Sequence, residues 1–312
     1  MTGRKLLKRQ KLRNNEYYDM QSVFDELYEN SLAKCEFKNL ISIITAEENI
    51  RLAYRNLKKN AGSRTPGTDG KTIADLAKMS EPELIGFVQQ KFNWYQPQSV
   101  RRKEIPKGNG KTRPLGIPTI MDRLIQQCVL QVMEPICEAK FCETSNGFRP
   151  NRGVENALAQ AEKHMQKSNL HIVIDIDIKG FFDNVNHGKL LRQIWTMGIH
   201  DKKLLSIISA MLKAEVAGIG FPEKGTPQGG ILSPLLSNIV LNELDWWITS
   251  QWVGMPTRHE YSGKIHENGT KDQSKKYREL RKTNLKECYI VRYADDFKIF
   301  CRKHSDAVKL FE

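Results

Sequence analysis

Apolar and acidic residues alternate along residues 172–178, where β-branched side chains are separated by Asp175 and Asp177. A period of two is typical of a β-strand, and it places both carboxylates on one face of that strand. We expect the strand to be buried, and a buried carboxylate is costly unless it is paired or binds a metal ion. Beyond residue 179 the pattern predicts an exit into a helix, with Asp183 or Asn184 as its cap.

A second pattern of β-branched and aromatic residues lies on both sides of residues 293–296, which read Tyr-Ala-Asp-Asp. It predicts two short strands joined by a four-residue connection. Asp295 and Asp296 then stand at a turn between apolar strands, where desolvation raises their energy unless a cation is close. A solvated turn is the alternative for an isolated Asp-Asp pair. Together with the acidic strand, the turn favours a divalent metal ion such as Mg²⁺, which prefers carboxylate oxygens.

Apolar residues at helical spacing predict four helical stretches, namely residues 25–57, 120–138, 190–214 and 235–244. The last of these is expected to begin with Ser233 as its cap and Pro234 at its first position. Residues 61–70 are dense in turn-forming residues and predict a loop that carries Arg64. A plain linker and a contact with nucleic acid are both compatible with that loop.

The dipeptide Asn109-Gly110 separates two extended segments and predicts a β-hairpin. A P-loop at this position is excluded, because Ile105 stands where that motif needs glycine and Pro114 would break the following helix. Lys107 and Arg113 could instead project over a triphosphate, Arg113 with bidentate geometry and Lys107 as a point charge. Ordinary surface cations are the alternative.

The composition narrows the class of protein. The chain has 312 residues, 39% of them hydrophobic, and a formal net charge of +13, which favours a polyanionic partner. No apolar run reaches the length of about 20 residues that a membrane helix needs, and no signal-peptide region is evident. The six cysteines are scattered without a Cys-x-x-Cys pair, which is typical of reduced thiols rather than of disulfides or a zinc site.

The first fifteen residues carry six cations and no acidic residue. Such a run is typical of a solvated tail, but in a basic chain it could also clamp an RNA backbone. The cations concerned are Arg4, Lys5, Lys8, Arg9, Lys11 and Arg13.

Five blocks of this sequence, taken in order, resemble those of reverse transcriptases and, more narrowly, of reverse transcriptases encoded by group II introns. They are residues 111–118, 145–153, 174–187, 225–234 and 293–296. The resemblance covers roughly residues 40–300. It implies an α+β fold of the right-hand polymerase type, with fingers, a palm whose antiparallel sheet is packed by helices, and no thumb within these residues.

The resemblance also implies a domain division. Residues 1–40 are expected to form a basic N-terminal extension, and residues 41–170 the fingers, with a helix near 120–138 that leads into the palm. Residues 171–312 are expected to form a truncated palm with a basic, solvated insertion at about 245–288.

Site residues follow from the same resemblance. Asp177, Asp295 and the backbone carbonyl of Ile178 are expected to hold two Mg²⁺ ions, with Mn²⁺ as a tolerated substitute, and Asp296 to act as a supporting catalytic carboxylate. The expected nucleotide-binding residues are Lys107, Arg113, Phe181, Phe182, Gln228 and Gly229. One of the two phenylalanines, with a preference for Phe182, is expected to exclude a ribose 2′-hydroxyl. Arg149 and Arg152, with Asn151 between them, are candidates for contact with template backbone, with capping and loop bracing as the alternatives.

The implied function is that of an RNA-directed DNA polymerase that also binds intron RNA to assist splicing and mobility. The expected partners are group II intron RNA, an RNA template with a DNA primer, and deoxynucleoside triphosphates. No membrane partner is expected, and the sequence leaves open whether the chain forms a homodimer. A cytoplasmic ribonucleoprotein in a bacterium is expected, and an organellar origin stays open. The alternative is a maturase, an RNA-binding splicing cofactor with little polymerase activity. An RNA-templated RNA polymerase is disfavoured by the aromatic residue expected at the sugar gate and by Ala294, where such enzymes usually carry glycine.

Overall fold

The computed structural model describes residues 14–106, 110, 112–261, 263–265, 267 and 271–312. The chain divides into two compact units. The first contains the residues up to Phe141 together with Gly180–Val240, and the second contains Cys142–Lys179 and Leu241–Glu312. Helices and antiparallel sheets occur side by side, so the predicted α+β class is confirmed. The assignment of residue ranges to fingers and palm stays a prediction.

The first unit is mainly helical. Its N-terminal helices are α1 (Asn14–Tyr17), α2 (Gln21–Leu32), α3 (Leu40–Ile44), α4 (Glu47–Lys59), α5 (Ile73–Leu76) and α6 (Glu81–Asn93), with a 3₁₀ turn at Ala61–Arg64. The strands β1 (Arg101–Pro106) and β2 (Thr112–Ile117) form the antiparallel hairpin predicted around Asn109-Gly110. After α7 (Ile120–Glu138), the unit resumes with α9 (Phe181–Asn184), α10 (His187–Thr196), α11 (Lys202–Leu212) and the first part of α12 (Ser233–Gln251).

The helix α7 is the core of the first unit, and its bounds match the predicted stretch 120–138. Thr119 caps it by accepting a hydrogen bond from the amide of Asp122, which satisfies one of the amides left free at a helix start. Thirteen of its nineteen residues are buried, and α2, α3 and α4 pack around it. A helix that is apolar on most sides belongs in a core, and this one organises the helical unit.

The second unit is built on a three-stranded antiparallel sheet. It contains α8 (Val154–Glu162), a π-helical turn at Lys163–Lys167, β3 (Ile172–Asp177), α13 (Ser274–Leu280), β4 (Cys288–Tyr293), β5 (Asp296–Cys301) and α14 (His304–Phe311). The strand order is β3-β5-β4, so β5 lies in the centre. The predicted strand at residues 172–178 and the two predicted around residues 293–296 are therefore confirmed, and all three belong to one sheet.

The two faces of this sheet differ. On one face Ile290, Phe297 and Ile299 form a core with Ile248 and Trp252. On the other face, a smaller cluster of Leu170, Val291 and Phe300 is covered by alanines of α8. That cover lies away from the hairpin turn, so the end of this face nearest the turn stays open, as the exposed Asp177 and Asp296 show.

Several sequence predictions need correction. Residues Asp175 and Asp177 lie on the exposed side of β3, which is partly buried on its isoleucine side, so the expected burial of the acidic strand was wrong. The helix directly after this strand is α9, with Gly180 at its N-cap position. Asp183 and Asn184 lie inside α9 and do not cap it. The next helix, α10, is capped by Asn186, whose side chain accepts from the amide of Lys189. Ser233 is the first residue of α12, and its hydroxyl donates to the carbonyl of Pro227 instead of capping the helix.

The predicted solvated insertion at about 245–288 was also wrong in its first part. The helix α12 continues to Gln251, and both Asp245 and Trp252 are fully buried. The connection in the Tyr-Ala-Asp-Asp hairpin has two residues rather than four, because Tyr293 pairs with Asp296 as the last pair of β4 and β5. Within the described residues, no helix is long and apolar enough to cross a membrane.

Candidate active site at the end of the antiparallel sheet

The three predicted catalytic carboxylates come together in the second unit. Asp177 is the last residue of β3, and it stands opposite Asp296, the first residue of β5. Asp295 lies in the two-residue turn that joins β4 to β5. Directly opposed residues on neighbouring antiparallel strands have their Cβ atoms about 5 Å apart, so one end of the sheet concentrates negative charge.

A lysine neutralises part of that charge. Lys298 Nζ lies 2.7 Å from Asp175 Oδ1 and 3.5 Å from Asp296 Oδ1. The hydrogen bond to Asp175, followed by the charges of Asp296 and Asp175, raises the pKa of Lys298 above its ordinary value. The carboxylates of Asp177 and Asp295 have no hydrogen bond or ion pair with any described residue. The two carboxylates without a counter-charge are therefore the two expected to bind metal.

This arrangement fits a hard cation. Like charges opposite each other on neighbouring strands are destabilising, and oxygen donors without a protein partner are the ligands that Mg²⁺ prefers. Among the described residues, no group of three or more His, Cys, Asp or Glu side chains forms a ready-made metal site. Magnesium commonly takes one or two carboxylates together with water and substrate phosphates. This kind of site matches the two carboxylates of Asp177 and Asp295 together with the carbonyl of the half-buried Ile178.

The hairpin turn is braced from behind by a buried ion pair. Arg292 faces the core side of β4, and both it and Asp245 of α12 have fully buried side chains. Arg292 donates to the carboxylate of Asp245 from Nε at 2.8 Å and from Nη2 at 2.6 Å. It also donates from Nη1 to the carbonyl of Ala294 at 2.7 Å and from Nη2 to Ser145 Oγ at 2.7 Å. The pair therefore reaches the backbone of the turn itself.

The loop at residues 144–147 lies against the same turn. The amide of Arg292 donates to the carbonyl of Thr144, and the amide of Asn146 donates to the carbonyl of Arg292. Ala294 has a φ of +58°, in the left-handed region that non-glycine residues rarely adopt. A Cβ on Gly147 would overlap the backbone nitrogen of Ala294 and lie 3.0 Å from its Cα. Only glycine lets this loop approach the turn so closely.

Arg149 and Arg152 brace this loop. Arg149 is only 8% exposed, and its Nη1 donates to the carbonyls of Cys142 and Ser145 at 2.8 Å. Arg152 Nη1 donates to the carbonyl of Glu143 at 2.8 Å. The buried contacts of Arg149 favour loop bracing, the alternative to template contact.

In the first unit, two of the predicted nucleotide-binding residues contact each other. Arg113 Nε donates to Gln228 Oε1 at 2.6 Å, and the amide of Gly116 donates to the carbonyl of Gln228 at 2.7 Å. Gly229 has a φ of +122°, and a Cβ there would overlap the carbonyl oxygen of Gly116. The glycine therefore lets the 225–234 loop lie against β2. Lys107 lies outside the described residues.

The two candidate sugar-gate residues are not distinguished by burial. Phe181 and Phe182 are each 7% exposed, and their rings meet edge to face with centroids 5.4 Å apart. The carbonyl of Phe182 accepts from the amide of Thr226 at 2.7 Å, which ties this short helix to the loop that carries Gln228. Which of the two faces a sugar stays a prediction.

Most of the predicted RNA-contacting cations belong to the first thirteen residues. Arg4, Lys5, Lys8, Arg9, Lys11 and Arg13 lie outside the described residues. Arg64 is exposed at the end of the 3₁₀ turn that follows α4, where it can reach a ligand.

Sequence reasoning missed Arg292, Asp245, Ser145 and Lys298 as parts of the site. A signal was present in two of them, because Arg292 and Lys298 are charged residues in otherwise apolar strand segments. Their partners could not be named from the sequence, since Asp245 lies 47 positions before Arg292 and Ser145 lies 147 positions before it.

Comparison with known proteins identifies the family. A family model described as reverse transcriptase (RNA-dependent DNA polymerase) matches residues 105–312. The chain therefore belongs to the reverse transcriptase family. Its relatives place it among the group II intron reverse transcriptase and maturase proteins.

Three relatives illustrate this placement. Protein YkfC of Escherichia coli is 34% identical over 85% of this chain and 71% of its own length. The group II intron-encoded protein LtrA of Lactococcus lactis is 38% identical over 73% of this chain, but over only 38% of its own length. A putative COX1/OXI3 intron 1 protein of Saccharomyces cerevisiae is 28% identical over 89% of this chain and 35% of its own length. The chain thus spans little more than a third of the two intron-encoded relatives.

Proposed function

We propose that this chain catalyses RNA-directed DNA synthesis at the end of the β3-β5-β4 sheet. The observation that carries the proposal is the charge pattern there. Asp175 and Asp296 share Lys298, whereas Asp177 and Asp295 stand at the same end of the sheet without a counter-charge from any described residue. In a member of the reverse transcriptase family, this is the pattern expected of carboxylates reserved for metal ions.

The proposed ligands are Asp177, Asp295 and the carbonyl of Ile178, which would hold two Mg²⁺ ions. When bound, the ions supply Lewis acidity to the primer 3′-hydroxyl and neutralise the triphosphate and its pyrophosphate leaving group. Asp177 and Asp295 present fixed negative charge from a strand end and a tight turn, so little reorganisation is needed during the reaction. Asp296, already paired with Lys298, supports the site rather than binding metal.

The residues of the first unit fit the handling of a nucleotide. Arg113 is exposed on β2, and its guanidinium can hold a phosphate with two parallel hydrogen bonds. Gln228 accepts from Arg113, which limits the rotamers of a long side chain before a ligand binds. The net charge of +13 favours an RNA template with its DNA primer, and intron RNA, as the polyanionic partners. Deoxynucleoside triphosphates are the proposed small substrates.

The proposal is tested by templated primer extension. The 312-residue chain is incubated with a DNA primer annealed to an RNA template, the four deoxynucleoside triphosphates and Mg²⁺. We expect a product whose sequence follows the RNA template, and no product when the metal is chelated. A second RNA with two template positions exchanged serves as the control, and the product sequence must change with it. Addition that ignores the template, or that persists after chelation, would contradict the proposal.

A further inference from the structure

The ion pair behind the hairpin turn has no explanation in stability alone. Arg292 and Asp245 are both fully buried, and removing two charges from water costs several kcal/mol per ion. Well-packed apolar residues at such positions often give equal or greater stability. A buried arginine at this place therefore calls for a role that an apolar side chain could not fill.

The hydrogen bonds of Arg292 point to that role. The guanidinium is planar and offers five N–H donors in a fixed fork. Asp245 takes donations from Nε and Nη2 and so fixes the plane of the fork. With the plane fixed, Nη1 is aimed at the carbonyl of Ala294. That carbonyl belongs to the peptide bond between Ala294 and Asp295, so its direction helps to set the orientation of the Asp295 backbone.

The turn needs such a restraint. Ala294 is held at a φ of +58°, which is unfavourable for a residue with a Cβ. The loop at 144–147 supports the same conformation, since Ser145 Oγ accepts from Arg292 and Gly147 leaves room for the Ala294 backbone. The strained turn is thus fixed from two sides, by α12 and by this loop.

We propose that Arg292, oriented by Asp245, is a positioning residue that holds the Ala294–Asp295 peptide in the conformation in which Asp295 can bind metal. This inference rests on the proposed function for the role of Asp295. Arg292 itself does not contact substrate or metal, because it faces the core side of the sheet, opposite the carboxylates of Asp177 and Asp296.

A second ion-pair cluster in the same unit, built around a buried glutamate, provides a control. Glu287, just before β4, is bound by Arg281 and Arg302 and lies at the end of the sheet away from the turn. Burial alone would raise the pKa of Glu287, but the hydrogen bonds from Arg302 and Arg281 outweigh it and hold the pKa below its ordinary value. Like the Arg292 pair, this cluster joins a buried carboxylate to arginine, but its arginines are more exposed and it makes no contact with the turn.

The test compares Asp245→Asn, Arg292→Lys and Ser145→Ala with Glu287→Gln in the 312-residue chain. Primer extension on RNA gives kcat, the KM for the nucleotide, and the Mg²⁺ concentration for half-maximal rate. Hydrogen exchange of the amides of residues 294–296 reports the turn directly, without any need for activity. Thermal unfolding shows whether each variant is folded.

For Asp245→Asn and Arg292→Lys we expect kcat to fall and the Mg²⁺ requirement to rise by about 10- to 100-fold, as for residues that orient metal ligands. The KM for the nucleotide is expected to change by less than about threefold, and the turn amides to exchange at least about tenfold faster. Ser145→Ala, the mildest change, is expected to show the same pattern with a smaller loss. Glu287→Gln is expected to lower the unfolding temperature while leaving kcat, the Mg²⁺ requirement and exchange at the turn unchanged.

The inference is overturned if a folded Asp245→Asn leaves the exchange of the turn amides unchanged. It is also overturned if Glu287→Gln raises the Mg²⁺ requirement as much as Asp245→Asn does. A failure of the proposed function looks different, because the unsubstituted chain would then lack templated synthesis altogether. In that case the exchange measurement alone still decides whether Arg292 positions the turn.

Discussion

Replacing Asp177 by asparagine is expected to lower the rate of Mg²⁺-dependent DNA synthesis by about 10³-fold, the rate equivalent of about 4 kcal/mol of transition-state stabilisation. Asparagine keeps the shape of the side chain but removes the negative charge that a metal ion requires. No cation among the described residues pairs with Asp177. Its replacement therefore breaks no ion pair, and we expect the rate of synthesis to fall while the stability stays the same. Steady-state primer extension and a thermal unfolding curve measure the two effects.

Asp175→Asn is the matched control for this prediction. Asp175 lies two residues earlier on the same exposed face of β3, but its carboxylate is paired with Lys298 at 2.7 Å. Exposed ion pairs contribute about 0–1 kcal/mol, and we expect the rate of synthesis to stay within about threefold of the unsubstituted chain. Equal losses in the two variants would contradict the assignment of Asp177, because the effect would then reflect general loss of negative charge on this face.

Replacing Arg292 by methionine is expected to have the largest effect on stability. The variant leaves Asp245 buried without its cation, which typically costs about 3–5 kcal/mol. The carbonyl of Ala294 and the hydroxyl of Ser145 lose their donor at the same time. We expect a large fall in the free energy of unfolding, measured by urea titration, and loss of templated synthesis.

The double variant Arg292→Met with Asp245→Leu separates stability from positioning. Both charges are now absent, so most of the lost free energy of unfolding should return, to within about 1–2 kcal/mol of the unsubstituted chain. Synthesis should nevertheless remain impaired, because no donor reaches the carbonyl of Ala294. Recovery of full synthesis together with stability would show that the pair serves the core alone.

Much of the secondary structure could be predicted from local patterns. The period-two alternation located β3, the apolar segments around Tyr-Ala-Asp-Asp located β4 and β5, and the helical spacing gave α7 with its observed bounds. These predictions succeeded because side-chain periodicity is a local consequence of strand and helix geometry. The convergence of Asp177 and Asp295 was supplied by the resemblance to a family rather than by periodicity.

The errors share a physical cause. The alternation in β3 gave its two faces correctly but could not show which face the rest of the chain covers. Burial of the isoleucine side of β3 depends on Ile248 of α12 and on Trp252, which are remote in sequence. The same limit hid the Arg292–Asp245 pair, since its partners are separated by 47 positions. For a similar reason the sequence could not decide whether Arg149 contacts template or braces the loop, because its acceptors are backbone carbonyls that come together only in the folded loop.

The catalytic role of Asp295 is decided by the addition of a single template-complementary deoxynucleotide to a DNA primer on an RNA template. The rate is measured in Mg²⁺ for the 312-residue chain and for Asp295→Ala, with filter binding of the RNA–DNA duplex in parallel. We expect addition by the unsubstituted chain and none by the variant, with duplex affinity nearly unchanged. Addition by Asp295→Ala at the normal rate would contradict the claim that the carboxylates at this end of the sheet are the catalytic site.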